Sequence, residues 1–319
     1  MVRYLDENDV QKLLTMPLAL QAVERAMRDL AAARAVDIPR VRTHIPHGTQ
    51  HVLQAAAPEL GFIGFKYYYT RPTGKSFYVH LIDIESARLE AIIEAVWMSM
   101  VRTGAASGVA TQALAREDAR SLGQIGAGFQ AIGQLEAVCA VRQIRAARVF
   151  ARNRERLAAF CERMSRNLGI EVRPAESAEA AVRGSDIVNV ITRSAEPVLR
   201  GEWLAPGQHV NAAGSNALSR RELDEAAVRK CDIVAVDGRG TARNECGDLL
   251  PAVERGWLHW ERLPEIGEIL AGKAPGRASP AQITLYESHG MGVQDLYVAA
   301  AVLAVARERG VGADLPIGS

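Results

Sequence analysis

The hydrophobic period of the chain changes twice along its length. Over 6–35 apolar residues recur three or four apart, as in Leu20, Val23, Met27 and Leu30, which predicts helix. Asp6 is placed to cap the start, and Pro17 suits the first turn of a second helix. From 51 to 95 the period shortens toward two. Segments 51–56, 63–70, 77–84 and 91–95 read as strands, with Arg71-Pro72-Thr73-Gly74 as a turn, in an antiparallel α+β region. Residues 98–115 return to helix, and Ala105, Ala106, Ser107, Gly108 and Ala110 suit close helix packing.

From about residue 120 strands and helices alternate. Apolar runs at 122–125, 147–151, 170–172, 187–191, 209–213, 233–236 and 283–286 are separated by helical stretches such as 130–140, 154–168 and 220–230. This order predicts an α/β fold with a doubly wound parallel sheet. A last helix, 294–309, is more apolar than a solvent-facing helix needs, so it is expected to pack back on the N-terminal region. The first domain is then discontinuous, 1–115 with 296–319, around a second domain at 116–295.

Composition narrows the partners. Of 319 residues, Lys plus Arg total 38; five are lysines (Lys12, Lys66, Lys75, Lys230, Lys273), which leaves 33 arginines. Asp plus Glu total 37, so the net charge is +1 and no global basic field favours nucleic acid. In so Arg-rich a chain a single arginine says little, and a lysine is the rarer choice. The most apolar run, 297–306, falls short of the ~20 residues of a membrane helix, and the first residues lack a signal peptide's pattern. Four scattered cysteines without a CxxC pair fit free thiols in a reducing compartment. A cytoplasmic protein without membrane partners is expected.

The segment Leu122-Gly123-Gln124-Ile125-Gly126-Ala127-Gly128-Phe129-Gln130-Ala131 follows a strand and opens a helix. Gly126, Gly128 and Ala131 satisfy GxGxxG/A, where a tight turn and a helix N-terminus take up a pyrophosphate. At the next strand end, Phe150-Ala151-Arg152-Asn153, the acid expected for an NAD ribose is missing, and the first acid is Glu155. Arg152, Asn153 and Arg156 suit a 2′-phosphate instead. NADP(H) is therefore favoured, with NAD(H) possible.

Lys66 sits in Gly64-Phe65-Lys66-Tyr67-Tyr68-Tyr69, a strand pattern with apolar and aromatic neighbours, where a buried ammonium needs an anion or a catalytic role. Arg40 and Arg42, just before the sheet, and Arg102, opening a helix, are each able to clamp a carboxylate. Two segments after later strands, Ala213-Gly214-Ser215-Asn216 and Glu287-Ser288-His289-Gly290-Met291-Gly292-Val293-Gln294-Asp295, fall where ligands bind in such folds. Asp295 has N-capping as its simplest role, and His289 reads as structural. Neither segment has metal-ligand spacing, so no metal is expected.

Together, Gly64-Phe65-Lys66, Val101-Arg102-Thr103-Gly104-Ala105-Ala106, the Gly126–Ala131 turn, Val182-Arg183-Gly184-Ser185-Asp186-Ile187-Val188, Pro206-Gly207 with Asn211-Ala212-Ala213-Gly214, and Gly290-Met291-Gly292-Val293-Gln294-Asp295 carry a resemblance. The chain resembles the ornithine cyclodeaminase/mu-crystallin family, with its alanine dehydrogenase and ketimine reductase branches. The resemblance implies a Rossmann domain plus a discontinuous dimerisation and substrate domain, in homodimers. It implies Lys66 as the active-site lysine and Arg102 as a carboxylate-binding arginine. The other carboxylate arginine is Arg42 if aligned with the mu-crystallin branch and Arg40 if aligned with the cyclodeaminases. Counting back six from Glu222 reaches Asn216, where cyclodeaminases and alanine dehydrogenases place an essential aspartate; Asn is no general base. The loop after Lys66 also departs from the family's Pro-Gly-Asn, carrying Pro72-Thr73-Gly74-Lys75.

The resulting expectation is an NAD(P)H-dependent oxidoreductase reducing the C=N bond of a ketimine or imino acid that carries a carboxylate. Lys66 and Asp295 are expected to be catalytic, and Arg42, Arg40, Arg102, Lys66 and Asn216 to bind substrate. Cofactor contacts are expected from Gly126, Ala127, Gly128, Gln130, Arg152, Asn153, Arg156, Thr192, Gly214, Ser215, Asn216 and Asp295. An ornithine cyclodeaminase-type deaminating cyclisation with bound NAD, and an NADPH-dependent small-ligand binding protein of mu-crystallin type, remain open.

Overall fold

A computed structural model describes residues 1–71 and 74–317 and divides the chain into two compact units, Met1–Arg102 with Gly290–Ser319, and Thr103–His289. The boundaries fall earlier than the expected 115/116 and 295/296. The first unit is discontinuous, and Asp295 belongs to it and not to the dinucleotide-type unit. Among the described residues no helix is long and apolar enough to cross a membrane.

The first unit is built on a seven-stranded sheet. Its strands are β1 (Val2–Leu5), β2 (Val36–Ile45), β3 (Gly48–Ala57), β4 (Phe62–Arg71), β5 (Gly74–Asp83), β6 (Leu89–Glu94) and the C-terminal strand Ala313–Leu315. The order is C-terminal strand, β1, β6, β5, β4, β3, β2, and the pairs from β6 to β2 are antiparallel. Arg40 and Arg42 therefore lie within a strand, not before the sheet. Pro39 sits in β2 because β2 is the edge, where a missing N–H costs no ladder bond, and a bulge interrupts the register between Ile38 and Val41. Arg71 pairs with Gly74 across β4 and β5; Pro72 and Thr73 of the expected turn lie outside the described residues.

Two helices, Glu7–Leu13 and Met16–Ala31, occupy the expected N-terminal span. Asp6 caps the first in a capping box with Asp9, and Thr15 caps the second with Pro17 in its first turn. The last helix, Gly292–Arg309, packs on the helix Met16–Ala31 and on one face of β2–β5. There Tyr297 Oη donates to buried Asp29 at 2.8 Å, and Gly64 lets the helix approach: an added Cβ would lie 3.0 Å from a Leu296 methyl and 2.1 Å from the His80 carbonyl oxygen.

The second unit is a Rossmann fold. Seven parallel strands, β7 (Ser121–Ile125), β8 (Ala146–Phe150), β9 (Glu171–Pro174), β10 (Ile187–Val190), β11 (His209–Ala212), β12 (Ile233–Val236) and β13 (Thr284–Glu287), run in the order β12-β13-β11-β10-β7-β8-β9. The order reverses between β7 and β10, the switch point at which such sheets open a crevice. Continuous burial along β10, β11 and β13 reflects a sheet covered on both faces. The helix Val96–Leu114 lies close to the helix Phe129–Val141 at Gly104, where a Cβ would meet the Gly133 carbonyl oxygen at 2.1 Å, so the two touch backbone to backbone. The expected helix 220–230 shrinks to Glu225–Lys230, because Asp224 accepts the Ala227 N–H and caps it there.

Candidate active site

Strand alternation puts Gly64, Lys66 and Tyr68 of β4 on the face that the last helix covers. Lys66 lies at mid-strand with its side chain 1% exposed. Its Nζ donates to Asp295 Oδ1 at 2.8 Å and lies 2.7 Å from Oδ2. Asp295 is not the cap of its helix. The helix starts at Gly292, and Asp295 stands in its first turn, fully buried, aimed at the sheet's cations. Arg102 Nε lies 2.9 Å from Asp295 Oδ1, and Arg102 Nη1 donates to Gln294 Oε1 at 3.0 Å.

Arg40 joins the same neighbourhood. It is buried, its Nη2 donates to the Gly290 carbonyl at 3.3 Å, and its guanidinium lies 5.9 Å from the Tyr68 ring centre, against 5.7 Å for Lys66 Nζ. Gly290 has φ +82, and a Cβ there would come within 2.6 Å of Arg102 Nη1, so only glycine lets the arginine lie against the chain. Arg42 is half-buried and pairs across the sheet with His51, whose ring stacks on Tyr68 at 4.2 Å. Burial pushes His51 down to about 3, with Arg40 and Arg42 adding to the effect, so the imidazole is neutral.

The electrostatics of Lys66 follow from this crowding. Burial first, then Arg102 and Arg40, push its ammonium down to about 7, while Asp295 pulls the other way. Lys66 is thus held where it exchanges a proton near neutral pH, the property a general acid needs.

The dinucleotide motif is built within the Rossmann unit. Gly126, just after β7, has φ +119, and a Cβ on it would lie 2.2 Å from the Ile191 carbonyl oxygen. Gly128 caps the helix Phe129–Val141 without a side chain, and a Cβ there would meet nothing within 4 Å. The turn at 126–128 therefore offers backbone N–H groups and a helix N-terminus to an anion, and it fits a pyrophosphate. Ala127 and Gln130 are half-buried beside it. Buried Gln124 holds the turn from behind, with Nε2 donating to Gly126 O at 3.1 Å and Ala131 O at 3.3 Å.

Past β8, Arg152 and Arg156 are exposed. Asn153 has a structural role, because its Oδ1 accepts the Arg156 N–H at 2.9 Å and caps the helix Arg154–Leu168. Thr192 and Gly214, after β10 and β11, are tied together by Glu222. Its Oε1 accepts from Thr192 N and Oγ1, both at 2.6 Å, and its Oε2 accepts from Gly214 N at 2.7 Å. Asp248 in turn accepts the N–H groups of Glu222 and Leu223 at 2.6 and 2.7 Å. Burial lifts Glu222 to about 7 against these hydrogen bonds. Ser215 is buried, bonded to the Arg220 carbonyl at 3.2 Å, and Asn216 is half-buried.

The structure thus brings Lys66, Arg102, Arg40 and Asp295 together in one unit and the 126–128 turn, Thr192 and Gly214 into the other. Gln124, Tyr68, Glu222 and Asp248 complete these arrangements, and sequence reasoning does not find them as site residues. Glu222 is only a landmark in the sequence, because a buried acid that ties two loops has no local signature.

The chain is similar to known proteins along nearly its whole length. The sequence profile of the ornithine cyclodeaminase/mu-crystallin family matches residues 3–310. A Delta(1)-pyrroline-2-carboxylate reductase of Bacillus cereus is 32% identical over 317 residues, covering 96% of this chain and 97% of that protein. The structure of the Thermococcus litoralis Delta(1)-pyrroline-2-carboxylate reductase in complex with NADH and L-proline superposes with a TM-score of 0.94 at 34% identity, covering 98% of this chain and 100% of that one. An archaeal alanine dehydrogenase dimer with bound NAD gives 0.93 at 29% identity, over 99% of each chain. A family profile that matches residues 3–310 and a relative 32% identical over nearly all of both chains show that this protein belongs to the ornithine cyclodeaminase/mu-crystallin family.

Proposed function

We propose that this protein is an NAD(P)H-dependent reductase of the C=N bond of a small imino acid, with a cyclic ketimine such as Delta(1)-pyrroline-2-carboxylate as the leading substrate. The observation that carries this reading is the buried grouping of Arg40, Lys66 and Arg102 with Asp295. Two guanidiniums and an ammonium beside one carboxylate favour a further anion, and a substrate carboxylate supplies it. Arg40 and Arg102 hold that carboxylate. Half-buried Arg42, one cross-strand pair from the His51–Tyr68 stack, serves at the rim.

A bound nicotinamide supplies the hydride that the imine carbon takes up. The imine nitrogen gains a proton as the carbon gains hydride, and Lys66 provides that proton from its ammonium. Asp295 holds the ammonium in place and keeps enough of it protonated near neutral pH. Asn216, in place of an aspartate, offers no base for activating water, which favours simple reduction over deaminating cyclisation. The 126–128 turn holds the pyrophosphate. Arg152, exposed past β8 where an acid would pair with a ribose, favours NADPH.

We also infer a homodimer. The β2–β5 face opposite the last helix presents Val36, Ile38, Val41 and Ile63, each 45–53% exposed, beside Phe65 and Tyr67. A contiguous apolar face of this kind is an association surface.

The test is cofactor oxidation by the purified chain with Delta(1)-pyrroline-2-carboxylate, and with pyruvate or glyoxylate plus amines. One amino acid formed per NADPH consumed is expected. Ammonia release from ornithine without net cofactor consumption would replace this reading with a cyclodeaminase, and tight NADPH binding without turnover on any imine would replace it with a binding protein. Arg152→Ala should lower kcat/KM for NADPH and leave that for NADH nearly unchanged; equal losses would remove the NADP assignment.

A further inference from the structure

A second cluster of chemistry-bearing side chains lies wholly within the Rossmann unit. Parallel pairing sets Val236 of β12 opposite Glu287 of β13, so Asp237 comes beside Ser288-His289. Asp237 Oδ2 accepts the His289 backbone N–H at 2.7 Å, and its Oδ1 lies 3.5 Å from His289 Nδ1. Cys246 closes the helix Arg239–Glu245 that follows β12. One donor atom from each of Cys246, Glu287 and His289 lies within 4.8 Å of the other two, and all three residues are buried. Glu287 Oε2 is 4.0 Å from His289 Nε2.

Two observations separate this cluster from a chance gathering of polar groups. Glu287 is 1% exposed, and its Oε1 has no hydrogen-bond partner among the described residues, while the Cys246 thiol is the side chain that reaches its carboxylate. Its surroundings are also acidic: Asp248, Glu222 and Asp237 all act on it with negative charge. A carboxylate buried among carboxylates needs a proton or a cation. The donor set speaks for the cation. Thiol, imidazole and carboxylate together suit a divalent ion of borderline softness and not a hard one such as Mg2+ or Ca2+. Asp237 Oδ1 lies 3.5 Å away on the Nδ1 side of His289, and Nε2 faces Glu287 at 4.0 Å, so the ring presents Nε2 to the cluster.

We propose that Cys246, Glu287 and His289 bind one divalent transition-metal ion, with Zn2+ as the fitting case. Binding involves no redox change: the metal replaces the thiol proton of Cys246 and any proton on Glu287, which pass to solvent. Three protein donors leave a fourth position for solvent or a neighbouring carboxylate. The ion would tie the end of β13 to the helix after β12. Spacing in the sequence gives no sign of such a site, because Cys246 lies far from the pair Glu287 and His289.

The test is titration of the full-length chain with Co2+ after dialysis against a chelator. One ion per chain is expected, with a near-ultraviolet thiolate-to-cobalt band that Zn2+ abolishes by displacement. Cys246→Ser should lose the band, and His289→Ala should weaken binding by about tenfold or more, the scale of losing even an outer contact of a metal site. Zn2+ should raise the Tm of the native chain and not that of Cys246→Ser. Should the variants not fold, zinc-edge X-ray absorption of the native chain decides alone: a shell with one sulfur and nitrogen or oxygen neighbours supports the site. No uptake, uptake without the thiolate band, equal uptake by the variants, or a shell without sulfur would each overturn it.

Discussion

Lys66 is one lysine of five in a chain that otherwise uses arginine, and it is the one held down to about 7 by burial and two guanidiniums. The sign of its pH effect follows directly. With the ammonium as the proposed proton donor, kcat/KM for imine reduction should fall as pH rises through about 7. Asp295→Asn removes the group that raises this value, so the same limb should move to lower pH; an unmoved limb would separate Asp295 from Lys66. Lys66→Ala should cost about 10²–10⁴-fold in turnover, the scale of general acid catalysis. Arg40 and Arg42 give a second contrast. Arg40→Ala should raise KM by about 10–100-fold, the scale of a charge-assisted hydrogen bond, and Arg42→Ala by much less. The reverse order, measured by initial rates, would assign the carboxylate to Arg42. Sequence alone leaves these two arginines unresolved because alternation puts both on one face; the edge bulge and the covering helix decide which one is buried.

At the scale of elements, long periodic stretches are legible in the sequence and short or edge elements are not. The seven parallel strands, the glycine turn and the last helix follow from local pattern. β1, the C-terminal strand and β2 do not, because their pairing partners lie far away in the chain. The 220–230 helix is shorter than its spacing predicts for the same kind of reason: Asp224, not the apolar spacing, sets its start. The loops after β10 and β11 depend on Glu222, a tertiary bridge that no local signal announces. Glu222→Gln keeps the shape but has one acceptor oxygen for three donors. Its Kd for NAD(P)H should rise by about tenfold or more, the loss of one charge-assisted hydrogen bond. Unchanged affinity by fluorescence titration would show that these loops hold their place without it.

At the scale of the molecule, the many arginines separate by their surroundings. Arg40 and Arg102 lie buried around Lys66 and Asp295, Arg152 stands exposed past β8, and others such as Arg239 and Arg277 join loops to the Rossmann frame. The exposed apolar sheet face predicts association. Ile38→Asp with Ile63→Asp should convert a dimer to a monomer in light scattering, with the fold retained by circular dichroism. A wild-type monomer would remove that inference. Hydride transfer to an imino acid carbon is read out with cofactor dideuterated at C4 of the nicotinamide. Incubated with Delta(1)-pyrroline-2-carboxylate, the protein should form proline carrying one deuterium at Cα, in step with cofactor consumed. Proline without that label, or cofactor untouched by any imine offered, would rule out hydride transfer to the imine carbon.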